Sequence, residues 1–220
     1  MSTWTVVVAA GSGTRFGGDK QLADLSGMAV LARSVASAAS VSAGVVVVVS
    51  AGRRAEVSGV LSGLERVEAI VDGGATRSES VRCGLAAVPD GAGVVLVHDG
   101  ARPLATPDLF RRVVDAVLAG AVAVVPGVPV TDSLRTADGR VMARDDVIAV
   151  QTPQGFNAER LRSAHAGGGE ASDDATLVEA AGGTVVVVEG EASNLKITRP
   201  ADLDLARLEL ERIVAGSSDA

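Results

Sequence analysis

The sequence predicts an α/β protein with a doubly wound, mostly parallel sheet, because short apolar runs alternate with longer segments of helical spacing. The runs are rich in β-branched residues, and strands that are apolar on both faces must be covered on both sides. The runs lie at 5–10, 45–49, 68–71, 94–97, 122–125 and 184–188, and the helical segments at 28–39, 78–88, 107–118 and 173–181. This alternation is typical of one sheet with helices on both faces.

Three residues indicate where helices begin. Pro107 and Pro200 suit the first turn of a helix, where the missing N–H is not needed, and Asp173 can cap the segment that follows it. Neither an internal repeat nor a linker divides the chain. We therefore expect a single domain over residues 1–215, with residues 216–220 as a disordered tail.

Composition narrows the class of protein. The chain has 220 residues, of which 47% are hydrophobic and 21% charged, and this balance excludes a disordered protein. Aromatic residues make up only 2%, so Val, Ala, Leu and Ile must form the core. The 20 basic and 27 acidic residues give a net charge of −7. An acidic chain with few aromatic side chains is unlike a general nucleic-acid-binding protein.

The compartment is predicted from what the sequence lacks. Its start does not have the basic and apolar regions of a signal peptide, and no apolar run approaches the roughly 20 residues of a membrane helix. The single cysteine, Cys83, cannot form an internal disulfide, and we expect it to pack rather than react. These features predict a cytoplasmic protein with no membrane contact.

One segment departs from the strand and helix pattern. Residues 129–150 read PVTDSLRTADGRVMARDDVIAV, in which Asp138 and Gly139 form a hairpin-turn dipeptide between two extended arms. The segment is too polar to enter the core, and an isolated hairpin is only marginally stable. A second copy of the chain is the simplest partner, so we expect a dimerisation arm; an ordinary solvent-exposed excursion is the alternative.

The distribution of basic residues singles out two positions. Of the 20 basic residues, 18 are Arg and only two, Lys20 and Lys196, are Lys. A chain that uses Arg for most positive charges retains Lys where a compact ammonium is needed. Chance retention is the alternative, and the location of the two lysines decides between them.

Lys20 ends a glycine-rich loop that directly follows the first predicted strand. The loop, Gly11 to Lys20, reads GSGTRFGGDK. Its glycines let backbone N–H groups approach an oxyanion closely, and Arg15 and Lys20 add positive charge, so the loop suits a polyphosphate. It is not a Walker A loop, because Gln21 follows the lysine, and it lacks the third glycine of a dinucleotide-binding fingerprint. A nicotinamide-dependent oxidoreductase is therefore disfavoured.

Other predicted strand ends carry similar residues. The stretch DGGATRSES, from Asp72 to Ser80, is a second glycine-rich loop that opens into a helix. The stretch HDGARP, from His98 to Pro103, places Asp99 and Arg102 three residues apart, and Lys196 lies in NLKITRP. Asp99 can bind a metal or a hydroxyl, and Arg102 a phosphate. A single His98 is typical of a hydrogen-bonded structural residue.

Together these motifs resemble the 2-C-methyl-D-erythritol 4-phosphate cytidylyltransferases, the IspD family of nucleotidyltransferases. The motifs are AAGSGTRFGGDKQ, DGGATRSESV, VHDGARP, TPQGF, SDDA and NLKITRPADL, and the similarity extends from about residue 4 to about residue 213. It implies a Rossmann-like fold of the nucleotide-diphospho-sugar transferase type. It also implies an enzyme of non-mevalonate isoprenoid synthesis that transfers CMP from CTP to 2-C-methyl-D-erythritol 4-phosphate and releases pyrophosphate.

The resemblance also implies roles for single residues. It assigns catalysis to Arg15, Lys20, Arg144 and Lys196, and it assigns CTP binding to Ala9, Ala10, Gly11, Ser12, Gly13, Gly73, Gly74, Arg77 and Ser80. It assigns binding of the methylerythritol phosphate to Asp99, Arg102, Ser133, Arg144, Ser172 and Lys196. The arm, residues 129–150, would form a homodimer and place Arg144 in the neighbouring site. Asp19 and Ala75 depart from the family pattern, in which Pro and Asp are common there.

Such a reaction needs no general base, because the attacking phosphate oxygen is already ionised near neutral pH. Catalysis would consist of positioning two anions and stabilising the charge that develops on the α-phosphoryl group. Mg²⁺ or another divalent cation, held mainly by the CTP phosphates, is the implied cofactor, and Asp99 is a candidate metal contact, either directly or through water. Two alternatives remain open: a cytidylyltransferase for another polyol phosphate such as ribitol 5-phosphate, and a non-catalytic nucleotide-binding module.

Overall fold

A computed structural model describes residues 1–11, 13 and 15–217, with side chains up to residue 213. The described strands are β1 (Ser2–Ala9), β2 (Asp24–Leu25), β3 (Met28–Ala29), β4 (Gly44–Val49), β5 (Val67–Asp72), β6 (Ala92–Asp99), β7 (Ala123–Pro129), β8 (Leu134–Arg135), β9 (Val141–Met142), β10 (Ile148–Val150), β11 (Gln154–Asn157) and β12 (Val185–Glu189). The described helices are α1 (Val30–Val41), α2 (Arg54–Val60), α3 (Arg77–Ala86), α4 (Pro107–Leu118), α5 (Ala158–Ala166), α6 (Asp174–Ala180) and α7 (Pro200–Ser217).

The central sheet is mostly parallel, as predicted. Its strands follow the order β5, β4, β1, β6, β11 and β7, and both β10 and β12 also pair with β7. The pairs β1–β4, β1–β6, β4–β5 and β7–β12 are parallel. Strand β11 lies antiparallel between β6 and β7, so β7 again runs in the direction of β6. The carboxyl ends of the parallel strands therefore meet at one edge of the sheet.

The two faces of the sheet are covered by different helices, which explains why the strands are apolar at consecutive positions. Val7 and Val47 pack with α1 and α4 in one buried cluster. Val6 and Val46, one residue away in each strand, pack with α3, α5 and α6 in the other. Successive side chains point to opposite faces of a strand, so each position must be apolar. Burying these side chains is the main source of stability for the sheet.

The predicted helix starts are confirmed. Thr106 caps α4 and Pro107 opens it, Asp173 caps α6 by accepting from the Thr176 N–H, and Pro200 is the first residue of α7. Helix α7 packs through Leu203 and other apolar residues on a third buried cluster. Because α7 is described to Ser217 and residues 218–220 lie outside the described range, the predicted tail stays a prediction.

The arm contains the predicted hairpin. Strands β8 and β9 pair with each other in a separate two-stranded sheet, and Gly139 turns between them with φ of +90°. A 3-10 turn over Arg144–Asp146 follows, and β10 returns the chain to the end of β7. The arm exposes apolar side chains, of which Val141 is 73% exposed.

The helices do not have the character of membrane spans. Among those in the described part of the chain, none combines the length and the apolar composition that crossing a bilayer requires.

Candidate active site

A cleft of about 450 Å³ lies where the carboxyl ends of β1, β5 and β6 meet. Loops leave the sheet at this edge, and the segment before α7 closes the cleft from the other side. The lining residues are Val8, Ala10, Gly11, Gly13, Arg15, Lys20, Gln21, Gly74, Ala75, Thr76, Arg77, Ser80, Asp99, Ala101, Lys196 and Thr198. Ligands of open α/β sheets bind at this edge. Four of these side chains are positively charged at neutral pH, and Asp99 is the one carboxylate among the described lining residues.

The first glycine-rich loop brings Arg15 and Lys20 to the cleft. At Gly13, φ is +62° and a Cβ atom would lie 2.9 Å from the Gly18 carbonyl oxygen, so this turn requires glycine. Gly11 has open space where a side chain would project. The predicted site residue Ser12 lies outside the described residues.

Three contacts anchor the loop end that carries Lys20. The Asp19 carboxylate forms an ion pair with Arg53, beside the start of α2, and accepts a hydrogen bond from the Gln21 N–H at 3.1 Å. The Lys20 ammonium donates to the Ile197 carbonyl oxygen at 3.1 Å, which ties the loop to the segment before α7. Asp19, which stands where the family often has Pro, thus restrains the loop by side-chain contacts.

The second glycine-rich loop allows the backbone to pass close to its neighbours. A Cβ atom on Gly73 would lie 2.6 Å from Ala10 Cβ, and one on Gly74 would lie 2.3 Å from Glu79 Cβ. Helix α3 then begins with a capping box between Thr76 and Glu79. These contacts leave no room for larger residues at either glycine, and they aim the N-terminus of α3, with its positive end, at the cleft.

Not every group on this loop is free to bind a ligand. The Ala75 N–H donates to Glu79 Oε2 at 2.6 Å, and the Ser80 hydroxyl donates to the Thr76 carbonyl oxygen at 2.8 Å. The position where some family members have Asp therefore offers its carbonyl oxygen. Ser80 retains an acceptor lone pair.

Asp99, at the end of β6, organises the positive charges on the far side of the cleft. Its Oδ2 accepts from Lys196 Nζ at 2.6 Å, and its Oδ1 lies 3.9 Å from Arg77 Nε. Burial opposes ionisation of this carboxyl, but Lys196 and Arg77 outweigh that effect and hold its pKa below the usual value. Asp99 is therefore an anion at neutral pH, and it positions both cations.

Arg77 is held from behind by a fully buried carboxylate. Its Nη1 donates to Asp174 Oδ2 at 2.8 Å, and the other oxygen of Asp174 lies 3.0 Å from His165 Nε2. Asp174 is completely inaccessible to solvent, and His165 is nearly so. Because a buried carboxylate needs both charge compensation and hydrogen bonds, these contacts hold the start of α3 against α5 and α6.

Lys20 lies in a strongly positive environment. Partial burial and the nearby ammonium of Lys196 lower its pKa from the usual value, and the attraction of Asp99 only partly offsets them. The positive charge of Arg15 also lowers the pKa of Lys20. Repulsion among Lys20, Lys196 and Arg15 is relieved when an anion enters, so the cleft is prepared for a polyanionic ligand.

The structure brings most of the predicted site residues together, but not all of them. Ala9, Gly73 and Arg102 do not line the cleft, although each is adjacent in sequence to a residue that does, and the Arg102 Nη1 donates to the Asn194 carbonyl oxygen at 2.7 Å. Burial lowers the pKa of the Arg102 guanidinium, although Asp99 opposes this effect.

Three predicted substrate contacts do not line the cleft within the described chain. Ser133, Arg144 and Ser172 are exposed, and none of them lines it. Arg144 instead donates to the Thr131 carbonyl oxygen at 3.2 Å within the arm. A single chain therefore does not bring the arm residues to its own cleft.

Sequence reasoning missed three polar lining residues, which are Thr76 at the start of α3, Gln21 and Thr198. Gln21 is 8% exposed, and its Oε1 has no hydrogen-bond partner among the described residues. Gln21 directly follows Lys20, Thr198 lies two residues after Lys196, and Thr76 precedes Arg77. Their polar character next to a predicted ligand contact was the only available signal.

The described residues offer few ligands for a resident metal ion. Within the described residues, no group of three or more His, Cys, Asp and Glu side chains is placed to hold a metal ion. Asp99, the expected contact, already accepts from Lys196. Asp99 is therefore the one carboxylate among the described lining residues that a cation in the cleft could contact.

Comparisons with known proteins point to one family. A family model described as 2-C-methyl-D-erythritol 4-phosphate cytidylyltransferase matches residues 3–212. The protein of that name from Cereibacter sphaeroides is 45% identical, and the match covers 98% of each chain. A solved structure of the Thermus thermophilus protein of the same name is 39% identical, with a TM-score of 0.80 over 96% of this chain and 100% of that one.

Some relatives are longer. The bifunctional enzyme IspD/IspF of Clavibacter michiganensis is 44% identical over 98% of this chain, which covers 56% of that protein. The chain thus spans little more than half the length of the bifunctional relatives it matches. The family model covers almost all of the chain and includes every residue that lines the cleft, so the chain belongs to the 2-C-methyl-D-erythritol 4-phosphate cytidylyltransferase family.

Proposed function

We propose that this chain transfers the cytidylyl group of CTP to 2-C-methyl-D-erythritol 4-phosphate and releases pyrophosphate. The observation that carries the proposal is the concentration of Arg15, Lys20, Arg77 and Lys196 around one cleft of a chain whose net charge is −7. Such a local excess of positive charge suits two anionic substrates. The product would be 4-diphosphocytidyl-2-C-methyl-D-erythritol, an intermediate of non-mevalonate isoprenoid synthesis.

The chemistry requires no proton-abstracting residue. An oxygen of the phosphate monoester attacks the α-phosphorus of CTP and forms a new P–O bond. The bond between the α-phosphorus and the bridging oxygen breaks, and pyrophosphate leaves with the electron pair. The barrier comes from repulsion between the anions and from charge on the α-phosphoryl oxygens, so fixed positive groups lower it.

Each side of the cleft has its own role in this proposal. The glycine-rich loops and the N-terminus of α3 would hold the CTP, with Ala10, Gly11, Gly13, Gly74 and Ser80 in contact with it. Lys20 and Arg15 would stabilise the charge on the transferring phosphoryl group. Lys196, held by Asp99 at 2.6 Å, would receive the acceptor phosphate. Arg102, behind this pair, would support the same subsite.

A divalent cation, Mg²⁺ in the simplest case, would accompany the CTP phosphates. Its chemistry would be to neutralise charge on the triphosphate and so favour departure of pyrophosphate. Asp99 is the lining carboxylate that could contact it, directly or through water. The close Lys196 contact favours the water-mediated arrangement.

We further propose a homodimer in which the arm of one chain completes the cleft of the other. The exposed apolar side chains Val141, Met142, Ile148 and Val150 on the arm support a protein contact. Ser133 and Arg144 do not line the cleft of their own chain, and in the partner's cleft they would contact the acceptor phosphate. A cytoplasmic location is also part of the proposal, and the free thiol of Cys83 is consistent with it.

Pyrophosphate release tests the proposed reaction against its alternatives. CTP plus 2-C-methyl-D-erythritol 4-phosphate should give pyrophosphate at a much higher kcat/KM than CTP plus ribitol 5-phosphate. A higher kcat/KM with ribitol 5-phosphate would assign the chain to a different polyol phosphate. CTP binding without pyrophosphate from either acceptor would indicate a non-catalytic nucleotide-binding module.

A further inference from the structure

We propose that His98 and Thr152 are positioning residues that orient the acceptor side of the cleft through a directed chain of hydrogen bonds. Neither residue lines the cleft. Both are buried, with His98 fully inaccessible and Thr152 6% exposed. The inference rests on the proposed function, because it concerns the subsite that Asp99, Arg102 and Lys196 would form for the acceptor phosphate.

The hydroxyl of Thr152 connects the Asp99 backbone to the His98 ring. Its oxygen accepts from the Asp99 backbone N–H at 3.0 Å and lies 3.2 Å from His98 Nδ1. A hydroxyl oxygen can accept two hydrogen bonds and donate one, so the direction of its bond with His98 depends on which ring nitrogen carries the hydrogen.

The Arg102 carbonyl oxygen places the imidazole hydrogen on Nε2, because a carbonyl oxygen can only accept. That nitrogen lies 3.2 Å from the Arg102 carbonyl oxygen and donates to it. The His98 ring also packs against Phe110, with ring centroids 4.9 Å apart. His98 is fully buried and both of its hydrogen-bond partners are uncharged, so the ring is neutral, and its bare Nδ1 accepts from the Thr152 hydroxyl.

The hydrogen-bond network ends at the backbone of Asp99 and Arg102, two of the residues on the acceptor side. It fixes the Asp99 N–H and the Arg102 carbonyl, and the Arg102 N–H closes the turn by donating to the Asp99 carbonyl oxygen at 3.0 Å. The Thr152 carbonyl oxygen accepts from Asn194 Nδ2 at 3.0 Å, two residues before Lys196. Thr152 thus connects the turn that carries Asp99 to the segment that carries Lys196.

The main contacts that anchor the CTP side do not involve the Thr152 hydroxyl. Lys20 is anchored to Ile197, and Arg77 to Asp174. Loss of the Thr152 hydroxyl should therefore disturb the acceptor subsite and leave the nucleotide subsite nearly intact. A merely structural role in the core would not discriminate between the two substrates.

The matched variants are Thr152→Val, which replaces the hydroxyl with a methyl group of similar size, and Thr152→Ser, which keeps it. Thr152→Val should raise the KM for the acceptor phosphate by about tenfold, the loss expected for one or two buried hydrogen bonds, and should change the KM for CTP less than about twofold. Thr152→Ser should restore the native acceptor KM to within about twofold. Equal changes in both KM values, or no rescue by Thr152→Ser, would overturn the inference.

A second measurement does not depend on turnover. The chain has two histidines, His98 and His165, so a His165→Gln variant assigns their ¹⁵N resonances. The native protein should show His98 with a bare Nδ1 and a protonated Nε2. A protonated Nδ1 would contradict the network even if catalysis is normal. Native tautomers without any pyrophosphate release would instead overturn the proposed function and, with it, the role assigned to the subsite.

Discussion

Replacing Lys20 with Ala is expected to lower kcat by about 10²–10³, the usual loss when one preorganised charge stabiliser is removed from a transition state. Lys20 lies on the glycine-rich loop, and its ammonium reaches across to the Ile197 carbonyl oxygen at 3.1 Å. The group is therefore fixed before the substrates bind. Steady-state pyrophosphate release at saturating CTP and acceptor measures the effect.

Arg111→Ala is the matched control for that variant. Arg111 is also a cation, but it lies on α4, pairs with Asp108 and is 58% exposed. Its removal changes the net charge equally and should leave kcat within about twofold, because exposed ion pairs contribute little. A Lys20→Ala protein with native kcat, or an Arg111→Ala protein with an equal loss, would contradict the assigned role of Lys20.

The second large effect concerns the arm. Homodimers of Arg144→Ala should lose about 10² in kcat/KM, because one fixed cation near the acceptor phosphate is removed. Mixing these chains with Lys20→Ala chains should restore activity. In each mixed dimer, one cleft would receive Lys20 from one chain and Arg144 from the other, so random exchange should give about a quarter of native activity.

This complementation separates two arrangements of the arm. Recovery requires that Arg144 acts in the partner's cleft, because neither parent homodimer contains a complete site. If the mixture shows no more activity than its parents after subunit exchange has been verified, each site is built from one chain. The exposed position of Arg144 in the described chain favours recovery.

Much of the fold was predictable because the buried strands carry a strong local signal. The runs at 45–49 and 94–97 are apolar on both faces, and both became inner strands of the sheet. Strand β11 was not predicted, since Gln154–Asn157 contains only one large apolar residue, Phe156. Its extended form comes from pairing with β6 and β7, which are distant in sequence, and not from its own residues.

The same distinction applies to the site. Arg15, Lys20 and Asp99 were predictable because they lie on the loop after one buried strand or at the end of another, where ligands bind in such folds. The groups that hold them in place were not, because their contacts join distant parts of the chain. Thr152 reaches Asp99 across 53 residues, and Asp174 reaches Arg77 across 97.

The two lysines illustrate what the structure adds. Composition alone suggested that Lys20 and Lys196 were retained for a reason, and both line the same cleft. They are close enough for the charge of Lys196 to lower the pKa of Lys20. Since the chain as a whole carries a charge of −7, binding of the two proposed anionic substrates would depend on this local cluster and not on long-range attraction.

The transfer of isotopic label tests the central claim most directly. CTP labelled at the α-phosphorus should give a labelled diphosphocytidyl product, and CTP labelled at the γ-phosphorus should give labelled pyrophosphate and an unlabelled organic product. This outcome identifies attack at the α-phosphorus by the acceptor phosphate. Label from the γ-position in the organic product, or no transfer from either position with both substrates and Mg²⁺ present, would contradict cytidylyl transfer.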